Sequence, residues 1–131
     1  MDNIDRVPKA PKDSKNNEYY EWTRGYPELE DYDPCAALSA IVMSIEGGTS
    51  SSPYQIMLFN RGEYLGVTTK EAHAFHPTVE RIDDATLSVT WHYPVNNEVN
   101  AMRSGESTAT FTWVEALQKV QMAGNEPPAP Y

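Results

Sequence analysis

The spacing of apolar residues changes along the chain, and each change predicts a different element. Cys35, Leu38, Ile41, Val42 and Ile45 recur at helical spacing on one face. Asp33-Pro34 precedes them, a good N-cap followed by the residue best tolerated at the first helical position. Gly47-Gly48 provides the stop. The pattern therefore predicts a helix over 34–46, then a loop through Thr49-Ser50-Ser51-Ser52-Pro53. Beyond it the period becomes two. Residues 54–59 are nearly all apolar and read as a strand buried on both faces. Asn60-Arg61-Gly62 is a turn that returns a hairpin partner over 63–69. Residues 69–74 read as a short helical turn capped by Thr69, and 78–82 as a strand ending at Asp83-Asp84. Leu87, Val89, Trp91 and Tyr93 alternate with Ser88, Thr90 and His92, the clearest strand in the chain. Ala109, Phe111 and Trp113 alternate with Thr108, Thr110 and Thr112, and 119–122 is the last strand.

These elements predict an α+β fold: one N-terminal helix packed on an antiparallel sheet of about five strands. The apolar sets form the buried face, and Ser88, Thr90, His92, Thr108, Thr110 and Thr112 the opposite one. Residues 1–32 show neither period and carry Pro8, Pro11, Pro27 and many charges, the composition of a flexible acidic leader. Tyr19, Tyr20, Trp22, Tyr26 and Tyr32 modify that picture, because aromatic residues at this density predict that 19–32 lies against the domain. The domain is expected to occupy 33–124, with a proline-rich tail over 125–131.

Charge and composition narrow the function. The 131 residues suit one domain, and the net charge is −9. No Lys/Arg cluster offers a footprint for phosphate, so nucleic acid would be repelled, and the same argument disfavours docking on an anionic lipid surface. A single cysteine permits no internal disulfide. The longest apolar run, 40–43, is far too short to span a membrane. No apolar segment follows Met1, so either the protein is cytosolic or this chain is a mature form with its export signal removed.

Candidate chemistry is sparse. His73 and His76 stand three apart, with His92 elsewhere; three imidazoles suit zinc, but no HExxH helix surrounds them. Ser50, Ser51 and Ser52 lack a GxSxG elbow, and Gly47-Gly48-Thr49 lacks the GK[ST] ending of a phosphate loop. Cys35, leading the apolar helix stripe, reads as an inert buried thiol. We therefore expect no catalytic residue, no metal and no cofactor. The rival class is a metal-dependent or other hydrolase using His73, His76 or His92. Recognition is expected on the long loop over 94–106. There Asn97, Asn100 and Arg103 offer hydrogen bonds, and Met102 and Tyr93 offer apolar contact. The Ser/Thr face with His92 is the second candidate surface.

Short words along the chain carry a family likeness. Asp33-Pro34-Cys35-Ala36-Ala37-Leu38, Gly47-Gly48-Thr49, Ser52-Pro53-Tyr54 and the run from Leu58 to Gly66 resemble the LppP/LprE-type actinobacterial lipoproteins. The resemblance covers about residues 33–123. It implies an exported cell-envelope protein, lipid-anchored in typical members through an N-terminal cysteine, and it implies no enzyme activity. No lipobox precedes Cys35, so that residue belongs to the domain. Any membrane attachment would come through an upstream anchor, with 1–32 as the tether. On this likeness the expected location is extracytoplasmic, in the envelope or secreted. The expected role is a non-catalytic binding or structural module for an envelope protein or glycan.

Overall fold

A computed structural model describes Trp22 and residues 32–45, 53–69, 72–93 and 105–125. These residues form two antiparallel sheets. The first contains β1 (Ser39–Ser44), β2 (Pro53–Asn60) and β3 (Glu63–Val67) in that order. The two-residue β4 (His73–Ala74) pairs with the start of β2, on the side that β3 occupies further along. The second sheet runs β5 (Thr78–Asp83), β6 (Thr86–Tyr93), β7 (Gly105–Val114) and β8 (Lys119–Gly124), each paired with the next. A single 3-10 turn, Glu115–Leu117, joins β7 to β8 and is the one helical piece among the described residues.

The expected α+β fold is therefore corrected to an all-β sandwich, and the helix expected over 34–46 does not form. Its start signal is used as a turn. The Asp33 carboxylate accepts the Cys35 N–H at 2.8 Å, and its carbonyl accepts the Ala36 N–H at 3.1 Å. Asp then Pro at the first two positions suits a β-turn as well as a helix start. The chain leaves this turn as a strand because both faces of β1 are buried. Ala40 and Val42 face the second sheet, while Ile41, Met43 and Ile45 face the other way. On that outer side Ile41, Met43, Met57, Phe59 and Tyr64 cluster under Trp22, Tyr32 and Val67. Tyr32 meets Phe59 edge to face at 5.2 Å, and Trp22 bridges Ile45. A strand covered on both faces loses its alternation, and its apolar run then mimics helical spacing. Cys35, expected to be buried, is exposed on the turn. The helical turn expected over 69–74 is also corrected, since His73 and Ala74 pair as a strand.

The remaining strands lie where the period-two pattern put them. Arg61 and Gly62 both have positive φ (46° and 85°), the geometry of the tight primed hairpin turn between β2 and β3. The sandwich interior joins Ala40, Val42, Ile56 and Leu58 to Leu87, Val89, Trp91, Ala109, Phe111 and Trp113. Leu87 and Val89 are fully inaccessible, so each contributes about 1.5–3 kcal/mol of apolar burial. Polar contacts fasten the sheets at one end. The Leu38 N–H donates to the Asp84 carbonyl at 3.0 Å, and Arg81 Nη2 donates to the Leu38 carbonyl at 2.8 Å.

Candidate functional site

Alternation in β6 and β7 sends one set of side chains into the core and the other outward. The register places Thr86 opposite Thr112, Ser88 opposite Thr110, Thr90 opposite Thr108 and His92 opposite Glu106. On β5, Thr78 stands beside Thr90 and Glu80 beside Ser88. The result is two parallel rows of hydroxyls on the outer face of the second sheet. Hydroxyl oxygens of Thr90 and Thr108 lie 3.0 Å apart, and those of Thr86 and Thr112 3.3 Å apart. Each such bond uses one hydrogen and leaves further lone pairs and one hydrogen for a ligand. His92 closes one end of the rows. Its Nε2 is 3.2 Å from Thr78 Oγ1, and its Nδ1 is 3.6 Å from Glu106 Oε1. The sequence alternation placed this face correctly, and the structure adds the pairing.

The open side of the sandwich carries a second feature, which the sequence pattern does not reveal. A groove of about 360 Å³ runs between β3 and β8. Leu58, Leu65, Val67 and Thr68 line it from one sheet, and Phe111, Trp113, Val120 and Met122 from the other. Leu65 and Met122 remain partly exposed beside it. The bulge that turns Leu65 outward occurs where β2 steps from Leu58 to Phe59 while β3 steps from Gly66 to Tyr64. Gly66 takes φ 135° there, which a residue with a Cβ rarely adopts. A bulge has no period-based signature, so the groove was not legible in the pattern.

A polar knot lies near the same end. Glu115 Oε2 accepts the Trp113 indole N–H at 2.8 Å, and Oε1 pairs with Arg61 Nη1 at 3.1 Å. Gln118 Nε2 donates to the Glu115 carbonyl and carboxylate, both at 2.8 Å. These contacts hold the Glu115 carboxyl below the usual glutamate range. The indole N–H is the main cause; partial desolvation opposes it, and Arg61 and Gln118 reinforce it. The knot joins the β7–β8 turn to the β2–β3 turn and is structural in character.

The expected site residues fare unevenly. His92 stands on the hydroxyl face. Tyr93 sits at the end of β6, its ring so close over Gly105 that a Cβ there would approach Cε2 to 2.3 Å. Asn97, Asn100, Met102 and Arg103 lie outside the described residues, as do Gly47, Gly48, Thr49 and Ser50 to Ser52. Glu106, expected in the loop, belongs to β7. The three histidines go to different surroundings. His73 is buried against Trp91, His76 is exposed and meets Tyr54 edge to face at 5.2 Å, and His92 faces Thr78. Among the described residues no group of three His, Cys, Asp or Glu is arranged to hold a metal.

Comparison with known proteins places the chain. No curated protein and no solved structure matches it. A family model described as LppP/LprE lipoprotein matches residues 30–116, which include β1 to β7 and the Asp33-Pro34 turn. A lipoprotein family points to an envelope-associated, extracytoplasmic location. With two thirds of its length matched, the chain belongs to the LppP/LprE lipoprotein family.

Proposed function

We propose that this domain is a non-catalytic recognition module of the cell envelope that binds a hydroxyl-rich glycan on the outer face of its second sheet. The observation that carries this reading is the register of hydroxyls: Thr86, Ser88 and Thr90 on β6 directly opposite Thr112, Thr110 and Thr108 on β7. Strand geometry spaces such groups about 4.8 Å across the sheet and roughly 6.8 Å along it. A rigid lattice of groups that both donate and accept is complementary to a neutral polymer made of the same groups. Charge supports the choice. Glu80 and Glu106 flank the rows in a chain of net charge −9, which disfavours an anionic ligand. The rows offer no large apolar side chain for an apolar one.

The test is the Thr90→Val, Thr108→Val, Thr110→Val triple variant, which keeps side-chain shape and strand propensity while removing hydroxyls. Retention on purified cell-wall polysaccharide should fall about tenfold or more, the scale of two or three lost hydrogen bonds. The thermal midpoint should change little. Unchanged retention would sink the reading, and so would turnover of the polysaccharide by the wild-type protein.

A further inference from the structure

The four marginal strands of the sandwich are not alike. β1 is continued by the bridge from Trp22 to Ile45. β3 carries the bulge at Leu65 and Gly66. β5 bulges between Arg81 and Asp83 and adds Glu80 to those charges. Covering segments, bulges and charges are the devices that keep a strand edge from pairing. Among the described residues β8 has only one of them, the charge of Lys119 at its first position. Lys119-Val120-Gln121-Met122-Ala123-Gly124 keeps an unbroken register with β7, bears one charge, and is exposed at every position but Val120.

The direction of its backbone groups is set by one bond. The Asn125 N–H donates to the Thr108 carbonyl at 3.3 Å. Continuing the register from Ala109 and Gly124 puts these two residues directly opposite each other. Bonded pairs alternate in an antiparallel ladder. Lys119, Gln121 and Ala123 therefore turn their amides and carbonyls toward β7. Val120, Met122 and Gly124 turn theirs outward.

We propose that β8 pairs edge to edge with β8 of a second copy of this chain, antiparallel about a two-fold axis at Gln121. In that register Val120 stands opposite the partner's Met122, and Met122 opposite the partner's Val120. The outward-facing backbone groups are then the ones that meet, so the hydrogen-bond phase is correct on both sides. Val120 and Met122 line the groove, so pairing covers its rim with apolar side chains from both copies. Charge permits the approach. Two chains of −9 repel in general, but β8 bears only Lys119, which lies opposite the partner's Ala123. The pairing makes one continuous eight-stranded sheet and places two hydroxyl faces side by side. It does not depend on what those faces bind.

The experiment is a disulfide scan in a Cys35→Ser background, with molar mass measured by light scattering. Gln121 meets its own copy at a non-hydrogen-bonded pair, where Cα atoms are about 4.5 Å apart and a disulfide closes. Gln121→Cys should give a covalent dimer on mild oxidation, about tenfold faster than Lys119→Cys, whose opposite residue is an alanine. Without these cysteines the protein should show a concentration-dependent dimer. Val120→Pro removes an amide directed away from β7, which an edge strand tolerates, and should leave a folded monomer. Met122→Lys should give the same result by replacing an apolar contact with a second charge in a groove that Lys119 already lines, whether or not the proline variant folds. A monomer at every concentration overturns the proposal. Equal cross-linking at 119 and 121, or a dimer unaffected by Met122→Lys, overturns it as well. None of these outcomes bears on polysaccharide retention, which is read separately.

Discussion

Replacing Arg81 by alanine tests the sandwich at the place where the helical reading and the observed fold disagree most. Arg81 Nη2 donates to the carbonyl of Leu38, a residue with no accessible surface. Its Nη1 donates to the carbonyls of Asp83 and Asp84, at 3.0 and 3.3 Å, on an exposed turn. Water can replace Nη1 at the turn, so those bonds contribute little. The Leu38 carbonyl sits too deep for that exchange. A charge-assisted bond of this kind, lost with its acceptor still buried, costs about 2–3 kcal/mol. For a domain of this size that lowers the thermal midpoint by roughly 8–20 °C. In a helix over 34–46 the same carbonyl would accept the Val42 N–H, and Arg81 would be dispensable. The assay is urea unfolding followed by tryptophan fluorescence, with a thermal melt alongside. The midpoint should fall with the slope unchanged, as expected when stability changes and the exposed surface does not. Arg81→Lys should recover part of the loss through a single donor. A change below about 0.5 kcal/mol, the ordinary scale of surface substitutions, would refute the clamp and with it the placement of Leu38.

Gly124→Ala should destabilise the domain by about 1–3 kcal/mol. The residue holds φ 113°, and an added Cβ would lie 2.5 Å from the Thr108 carbonyl oxygen; a melt within error of wild type would contradict that geometry. The Glu115 carboxyl should titrate below an ordinary glutamate, as read by carboxyl carbon shifts. Because its folded pKa is depressed, its contribution is present above the unfolded value and is lost as pH falls through the folded one. Trp113→Phe, which removes the main cause, should move that titration upward. An unmoved value would assign the shift to Arg61 instead.

The outer-face and inner-face assignments of β6 and β7 were legible because each strand has one buried face, so Leu87, Val89 and Trp91 alternate cleanly with Ser88, Thr90 and His92. β1 was not legible for the opposite reason. Ile41 and Met43 are buried on one side, Ala40 and Val42 on the other, and the cover on the outer side comes from Trp22 and Tyr32, distant in sequence from the strands they cap. A tertiary contact thus erased the local period. Asp33-Pro34 compounded the error, since the same two residues open a helix or a β-turn and only the packing beyond them decides. Pairing of hydroxyl rows needed the register of β6 on β7, which alternation within each strand does not contain. The groove needed the bulge at Gly66, and the Arg81 clamp needed the meeting of two turns 43 residues apart.

The central claim, that the outer face of the second sheet is the recognition surface, is tested most directly by amide chemical-shift mapping. Isotope-labelled protein is titrated with soluble fragments of envelope polysaccharide. Binding at the proposed face predicts dose-dependent shifts at Thr78, Ser88, Thr90, His92, Thr108 and Thr110, and none beyond dilution controls at Leu65, Val67 or Tyr64. Shifts confined to β3 and β8, or no shifts up to saturating polysaccharide, would contradict it.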